Sequence, residues 1–271
     1  MVADTRLVSD RFPRANAYHT DWLIAGVSGG ANPLWLTEWV CEAMDLTPGM
    51  RVLDLGCGRG MSSVFLAREF GVQVWATDLW FDPTDRWRRI REAGVDASVF
   101  PIRADARSLP FANEFFDAII SIDSYFYYGT DDTYLGYLLR LLKPGGQFGI
   151  AGAAFLTEFG ADIPDHLKAW WEPSMTCLRS PGWWRTHWER SGIADMELAD
   201  ELPDGWKYWL QWQRGVCPDN AVELAAVEAD AGRHIGYARA VCRRKPDVPL
   251  SEPIGTIPSE YKSAPLLREP R

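Results

Sequence analysis

Three glycines at alternate positions interrupt the sequence V-L-D-L-G-C-G-R-G and give the clearest chemical signal of this chain. Gly56, Gly58 and Gly60 follow a short apolar run and directly precede a helical pattern. Glycines let the backbone approach a ligand closely, and the unpaired N–H groups at a helix start can point toward it. Asp78 ends the next apolar run, 22 residues after Gly56. At this distance a βαβ unit brings a carboxylate to the hydroxyl groups of a ribose.

The spacing of these glycines distinguishes between two classes of cofactor. A dinucleotide-binding loop has the pattern G-x-G-x-x-G, and its third glycine would stand where this chain has Met61. Asp54 lies two residues before the first glycine, where a carboxylate would repel a pyrophosphate and attract a cation. Both observations disfavour a dehydrogenase and favour a cofactor that carries positive charge.

Five motifs in order resemble those of the class I S-adenosylmethionine-dependent methyltransferases. They are D-L-G-C-G-R-G, the acidic residue Asp78, and the segments R-A-D-A-R-S-L-P-F, F-D-A-I-I-S-I-D and L-L-K-P-G-G. The resemblance is strong over residues 30 to 155 and weak in the remainder of the chain. It implies that S-adenosylmethionine is the methyl donor and that S-adenosylhomocysteine is the product.

The resemblance also implies where this cofactor would bind. The glycines would receive its methionyl part, Asp54 would favour its cationic groups, and Asp78 would accept hydrogen bonds from both ribose hydroxyls. Leu79 and the tryptophan after it would lie against the adenine, whose edge would meet Asp105 and Ala106. The predicted cofactor-binding residues are Asp54, Gly56, Gly58, Gly60, Asp78, Leu79, Asp105, Ala106 and Ser121.

The methyl acceptor is expected beyond the carboxyl end of the fourth strand, because ligands of parallel α/β sheets bind there. The segment S-I-D-S-Y-F-Y-Y-G begins at that point. The candidate catalytic residues are Asp123, Tyr125 and His187. Asp123 is the preferred general base if the acceptor must lose a proton. The candidate acceptor-binding residues are Tyr127, Tyr128, Trp184 and Trp209.

Tryptophan is unusually frequent, with 14 residues, and many of them follow residue 155, where the resemblance is weak. One hypothesis is an aromatic-walled pocket for a flat apolar acceptor, or for an amine held by cation–π contacts. The alternative is that these segments bury a small core of their own against the sheet. Core packing is likewise the alternative for each candidate tyrosine and histidine.

Composition restricts the partners. A net charge of −9 and a pI near 5.0 argue against nucleic acid or an anionic membrane surface. The five cysteines lack metal-binding spacing, and Asp123 alone does not indicate a carboxylate cluster, so no metal is expected. The chain shows neither the apolar core of a signal peptide nor a run of 18 apolar residues. We expect a cytoplasmic protein with a small-molecule acceptor, and a homodimer is compatible with the sequence.

Strands alternate with helices up to residue 155, which predicts an α/β fold with a doubly wound, mostly parallel sheet. The family resemblance implies seven strands in a Rossmann-like arrangement. We expect a single domain over residues 1–243, with helical cap insertions at about 156–190 and 203–232. The proline-rich tail, 244–271, is predicted to lack regular structure. Residues 1–31 are predicted to form a flexible approach segment.

Several local signals fix expected element boundaries. Asn32 followed by proline predicts a helix start, and the helix is expected over residues 33–46. Pro101 places the third strand at an edge of the sheet. Asp131 or Asp132 is expected to cap the helix that follows the fourth strand, and a further helical piece is expected at residues 166–171.

The sequence therefore predicts S-adenosylmethionine-dependent methyl transfer to a small-molecule acceptor by in-line displacement, with oxygen or nitrogen favoured as the methylated atom. A non-catalytic subunit that binds the cofactor and supports an oligomeric partner is the alternative. The intact glycine and acidic motifs argue against that alternative.

Overall fold

A seven-stranded mixed sheet forms the centre of the computed structural model, which describes residues 7–160 and 162–250. The strands are β1 (Arg51–Leu55), β2 (Gln73–Asp78), β3 (Val99–Arg103), β4 (Phe116–Ile122), β5 (Leu142–Phe155), β6 (Ala194–Glu201) and β7 (Ile235–Arg244). Their order is β3-β2-β1-β4-β5-β7-β6, and the pairs among β1 to β5 are parallel. β7 pairs antiparallel with β5 and β6. The predicted fold class is confirmed.

The sheet centre is apolar on both faces, as the continuous apolar runs of β1 and β4 predict. Val52, Leu53 and Leu55 of β1 are buried, and β1 pairs with β2 on one side and β4 on the other. Pro101 lies in the edge strand β3, as predicted. The order changes direction between β1 and β4, and the carboxyl ends of these strands are where ligands of such sheets bind.

Eight α-helices connect or flank these strands in the part of the chain that the structure describes. They are α1 (Thr20–Ala25), α2 (Pro33–Cys41), α3 (Met61–Phe70), α4 (Pro83–Glu92), α5 (Tyr134–Leu139), α6 (Pro181–Arg190), α7 (Gly205–Val216) and α8 (Ala221–Asp230). α2 packs against α3 and β5, α6 packs against β6, and α7 packs against α8 and β7. None of the described helices is long and apolar enough to cross a membrane.

Two of the predicted helix starts have different outcomes. Asn32 caps α2, because its side-chain oxygen accepts the backbone N–H groups of Leu34 and Trp35. Capping of α5 by Asp131 or Asp132 is wrong: the N-cap is Thr133, without a side-chain cap bond. Asp131 instead accepts the N–H of Thr133 and closes the turn just before the helix.

The N-terminal segment is more ordered than the sequence predicts. It contains α1, and Phe12 is fully buried with its ring 5.8 Å from that of Trp35. The prediction of a flexible segment therefore fails for α1 and for the packed region before it. Short length and mixed polarity conceal this packing in the sequence, since its buried apolar residues are few and widely spaced: Leu7, Phe12, Ala15 and Leu23. Residues 26–31 have no regular helix or strand.

The segments after β5 are less helical than predicted in one place. The expected helix at 166–171 is wrong, because only a single 3-10 turn, Asp165–Leu167, forms there. α7 and α8 occupy the insertion between β6 and β7. His166 Nε2 lies 2.9 Å from Oδ1 of the buried Asp230, which joins the segment after β5 to the end of α8. Arg244 still belongs to β7, and most of the predicted tail, residues 251–271, lies outside the described residues.

Candidate active site

The turn between β1 and α3 is held against β2 and requires glycine. The N–H groups of Gly56 and Cys57 both donate to the carbonyl of Thr77, at 2.9 and 3.0 Å. Gly56 and Gly58 have φ values of +76° and +56°, and a Cβ on either would overlap a serine hydroxyl, that of Ser124 or Ser28. The turn therefore brings backbone, without side chains, to the surface of a cavity.

Asp78 fixes the loops on both sides of this cavity. One carboxylate oxygen, Oδ2, accepts the N–H of Gly58 at 2.9 Å. The other, Oδ1, accepts the N–H groups of Trp80 and Phe81 at 2.8 and 3.1 Å. Each oxygen can accept more than one hydrogen bond, so the carboxylate can also bind hydroxyl groups of a ligand.

A cavity of about 250 Å³ lies at the carboxyl ends of β1, β2 and β4. We call it the donor cavity. Six of the nine predicted cofactor-binding residues line it: Gly56, Gly58, Asp78, Leu79, Asp105 and Ala106. Three further residues that were predicted for catalysis or for acceptor binding also line it: Asp123, Tyr127 and Tyr128. The structure thus brings together residues that are separated by up to 72 positions in the sequence.

Asp54, Gly60 and Ser121 do not line the donor cavity. Asp54 is fully buried behind the glycine turn, where it accepts hydrogen bonds from the hydroxyls of Ser62 and Ser63, both at 2.6 Å. Burial raises the pKa of Asp54 to about 6. Gly60 precedes α3 as its N-cap residue, and the Ser121 hydroxyl donates to the carbonyl of Leu55. The structure gives these residues roles in holding the turn, and direct cofactor contact by them stays a prediction.

Several lining residues were not predicted as site residues. They include Ser28, Ala31, Thr77, Phe81, Arg107 and Ser124, of which Arg107 and Ser124 lie within segments already singled out in the sequence. Ser28 and Ala31 flank the glycine pair 29–30, and Thr77 immediately precedes Asp78, so proximity to these motifs is the available clue. At the mouth of the cavity, the rings of Trp80 and Tyr127 are 74% and 51% exposed and their centroids lie 6.4 Å apart.

Asp123 connects the N-terminal segment to the sheet. It has a φ of +52°, and its Oδ2 accepts the N–H of Ala31 at 2.8 Å while Oδ1 accepts the N–H of Ala153 at 2.9 Å. Burial raises the pKa of Asp123, and these two N–H groups oppose that rise. Because both oxygens already accept backbone hydrogen bonds, positioning explains this side chain directly, and its role as general base stays a prediction.

A second cavity of about 580 Å³ adjoins the first. Gly30, Asp123 and Tyr127 line both cavities. The rest of its wall comes from Phe126, from Ala153 of β5, from residues 169–178, and from α7 and α8 with the N-cap residue Asn220. It includes Trp209 of α7. We call it the acceptor cavity. The ring of Trp209 stacks on that of Tyr237 at 5.2 Å and its Nε1 donates to Glu223 at 2.7 Å, so its position is well fixed.

Tyr125, His187 and Trp184 line neither of these two cavities. The Tyr125 ring is buried among Phe148 and Trp184, with centroids 4.9 and 5.4 Å away, and burial raises its pKa well above the usual value. His187 stacks on Trp183 at 4.4 Å, and burial lowers its pKa. For these three residues the geometry favours core packing over a functional role. Trp184 and His187 lie on α6, which packs against β6, and Tyr125 packs against Trp184.

Tyr128 lines the donor cavity with its hydroxyl held by serines. Its oxygen lies 3.1 Å from Ser124 Oγ and 3.4 Å from Ser121 Oγ. Burial raises the pKa of Tyr128 to about 12. The phenol is therefore protonated near neutral pH, and it can donate a hydrogen bond but is a poor base.

Comparisons with known proteins find a methyltransferase domain in the part of the chain that contains these residues. A family model described as a methyltransferase domain matches residues 52–146, which include the glycine turn, Asp78, Asp105 and Asp123. A protein named methyltransferase GfsG from Streptomyces halstedii is 35% identical over 117 residues, which are 43% of this chain and 42% of that protein. These matches support the predicted assignment of the chain to the class I S-adenosylmethionine-dependent methyltransferases.

Similarity to solved structures extends over more of the chain than the family model. The cyclase SpnF has a TM-score of 0.65 at 21% identity and covers 89% of this chain and 94% of its own. Geranyl diphosphate C-methyltransferase from Streptomyces coelicolor A3(2), solved with Mg²⁺, geranyl diphosphate and S-adenosyl-L-homocysteine, has a TM-score of 0.62 at 21% identity. It covers 77% of this chain and 79% of its own. At such identities the likeness concerns the fold.

The match to curated methyltransferases covers only part of their length. The aligned part is 42% of the Streptomyces halstedii protein and 28% of a glycine/sarcosine/dimethylglycine N-methyltransferase from Actinopolyspora halophila. The chain thus spans less than half the length of these two relatives.

Proposed function

We propose that this methyltransferase binds S-adenosylmethionine in the donor cavity and transfers its methyl group to a small molecule in the acceptor cavity. The observation that carries the proposal is the junction of the two cavities at Gly30, Asp123 and Tyr127. A donor and an acceptor bound on the two sides of this junction would be neighbours, as a direct transfer requires.

The residues of the donor cavity fit the parts of this cofactor. The glycine turn brings backbone without side chains to the cavity, and a Cβ at Gly56 or Gly58 would overlap a serine that lines it. We assign the Asp78 carboxylate to the ribose hydroxyls, and Leu79, Asp105 and Ala106 to the adenine; this assignment is supported by their shared position in the wall of the donor cavity. The cofactor-bound neighbour from Streptomyces coelicolor A3(2) supports this assignment through its fold.

When bound, S-adenosylmethionine supplies an electrophilic methyl carbon, to which an acceptor atom bonds as the carbon–sulfur bond breaks and leaves its electron pair on sulfur. The chain contributes chiefly by holding both partners in line, and such positioning can supply on the order of 7–11 kcal/mol. Asp123 anchors residues 28–31 over the junction, and the Tyr127 and Trp80 rings border the cavity mouth. Together they would limit the access of water during transfer.

The acceptor cavity suits a small molecule methylated on oxygen or nitrogen. Its volume falls in the range of about 300–1,000 Å³ that is typical of small-molecule sites, and five aromatic side chains contribute to its wall. An alternative is a cofactor-binding protein that does not transfer methyl groups. The intact donor cavity does not favour that alternative, and a bound cofactor alone would not separate the two.

Calorimetry with S-adenosylmethionine, S-adenosylhomocysteine and NAD tests the donor assignment. We expect the first two to bind and NAD not to bind. Asp78→Asn should weaken S-adenosylhomocysteine binding about tenfold or more, because a hydrogen bond to a charged group contributes about 1.5–3 kcal/mol. Asp85→Asn is the control, since this exposed aspartate pairs with Arg88 on α4.

Failure of both adenosyl compounds to bind would overturn the proposal, as would preferential binding of NAD. Unchanged affinity of the Asp78→Asn protein would remove Asp78 from the ribose role. Incubation with S-adenosylmethionine and candidate acceptors, followed by mass spectrometry of the products, then distinguishes transfer from binding alone.

A further inference from the structure

The wall of the acceptor cavity combines aromatic rings with acidic side chains. Trp170, Trp171 and Trp209 line it, and the rings of Trp170 and Trp209 meet edge to face at 5.7 Å. The face of Trp171 is stacked on Phe155 at 5.7 Å. These ring contacts hold the tryptophans in place without help from a ligand, so the cavity has a preformed aromatic surface.

Three carboxylates also line this cavity: those of Asp123, Glu172 and Glu223. Among the described residues of its wall there is no arginine, lysine or histidine. The carboxylates affect one another, because both Asp123 and Glu172 raise the pKa of Glu223, in addition to the larger effect of burial. The Trp209 indole N–H opposes this rise by donating to Glu223 at 2.7 Å, and Asn220 donates to the same carboxylate at 2.7 Å. Such a surface carries excess negative charge that a ligand can neutralise.

We propose that the acceptor cavity recognises an organic amine in its cationic form, with an apolar or aromatic body and no anionic group. The inference rests on the proposed function, since it names the acceptor class for the same site. A cation gains from the carboxylates and from the faces of the tryptophans. A carboxylate or phosphate on the ligand would lie beside these three carboxylates with no basic side chain in the wall to balance it, which is unfavourable.

Methylation then takes place on the amine nitrogen. The ammonium gives one proton to a carboxylate of the wall, and the freed lone pair forms the nitrogen–carbon bond. The electron pair of the broken carbon–sulfur bond remains on sulfur, so the positive charge passes to the methylated nitrogen. The wall carboxylates therefore favour both the entering ammonium and the charged product.

Matched ligands test this proposal in protein saturated with S-adenosylhomocysteine. The probes are benzylamine, phenethylamine and tryptamine. Each is compared with the alcohol and the carboxylic acid that carry the same aromatic group, and the binding affinities are measured by calorimetry at pH 7. At least one amine should bind tenfold or more tightly than its alcohol, and the acids should bind most weakly. Glu223→Gln should reduce that preference for the amine at least fivefold.

Glu228→Gln provides the matched control, because Glu228 is exposed on the same helix and pairs with Arg214 outside the acceptor cavity. It should leave all affinities unchanged. Equal binding of amine and alcohol, preferred binding of an acid, or an unchanged preference in Glu223→Gln would overturn the proposal. Absence of binding by all three amines would overturn it as well. Loss of S-adenosylhomocysteine binding would instead contradict the proposed function, so the two failures are distinguishable.

Discussion

Three aspartates around the donor cavity differ in what surrounds their carboxylates. Asp78 accepts three backbone N–H groups and lines the cavity. Asp123 accepts two N–H groups from segments distant in the sequence and holds them together. Asp54 is hidden behind the glycine turn with two serine hydroxyls. Only Asp78 both lines the cavity and stands at a distance from the glycine turn that predicts ribose binding from the sequence.

The buried Asp54 should leave a signature in the pH dependence of stability. Burial raises its pKa from 3.8 to about 6, so the folded protein retains a proton that the unfolded chain releases. The retained proton contributes about 3 kcal/mol to the free energy of unfolding. This contribution is fully present below pH 4 and is lost as the pH rises through 6. Denaturant unfolding between pH 4 and 7 should therefore show a steeper loss of stability in the natural protein than in Asp54→Asn.

The comparison uses the difference between the two slopes, because Asp54→Asn also changes the hydrogen bonds to Ser62 and Ser63 at every pH. Asp21→Asn is the control, since this aspartate is exposed near the start of α1. Parallel pH profiles for the natural protein and Asp54→Asn would contradict an elevated pKa at this residue.

At the scale of the elements, the position of the segment between α1 and α2 is fixed by tertiary contacts. The carbonyl of Gly30 accepts hydrogen bonds from Trp212 Nε1 at 2.9 Å and from Gln213 Nε2 at 3.3 Å. The next N–H, that of Ala31, donates to Asp123. Contacts from α7 and from the end of β4 therefore hold this segment beside both cavities. None of them involves neighbours in the sequence, so a prediction from local patterns cannot find them.

The glycine turn allows a direct test of why its residues must be glycine. Gly56→Ala and Gly49→Ala both place a Cβ at a positive φ, +76° and +86°, so both should lose about 1–2 kcal/mol of stability. At Gly49 the new Cβ has no atom within 4 Å, whereas at Gly56 it overlaps the Ser124 hydroxyl beside the donor cavity. Only Gly56→Ala should therefore weaken S-adenosylhomocysteine binding, tenfold or more by calorimetry.

A second substitution separates overlap from backbone strain. Adding Ser124→Gly to Gly56→Ala removes the overlapping side chain and should recover part of the lost affinity. Equal binding by the Gly56→Ala and Gly49→Ala proteins would show that close approach at Gly56 does not matter for the cofactor.

How well an element could be predicted depends on whether its signal is local. Apolar runs bounded by turns locate β1, β2 and β4, because strands buried on both faces need such runs. The tryptophans of α6 and α7 give no comparable guidance, since a ring in a core and a ring in a pocket occupy similar positions in a sequence. Trp184 is only 4% exposed and Trp209 only 6%, yet the first belongs to the packing around Tyr125 and the second lines a cavity.

At the scale of the whole molecule, the two cavities differ in origin. The donor cavity is formed mainly by the loops after consecutive strands, and the sequence motifs identify most of it. The acceptor cavity takes its wall from Gly30, residues 123–127, Ala153, residues 169–178 and the α7–α8 insertion. Its aromatic and acidic character therefore arises only when these five parts of the chain meet. For this reason the sequence predicts the methyl donor and the residues that would bind it. It does not decide whether the methyl acceptor is a flat apolar molecule or an amine.

A crystal structure of the protein with S-adenosylhomocysteine tests the arrangement of donor and acceptor most directly. Electron density for the ligand should fill the donor cavity, with the ribose hydroxyls at Asp78 and the adenine near Asp105 and Ala106. The thioether sulfur should face the junction at Asp123 and Tyr127 and leave the acceptor cavity open. Ligand density outside the donor cavity, or a sulfur atom that points away from the junction, would contradict the proposed transfer between the two cavities.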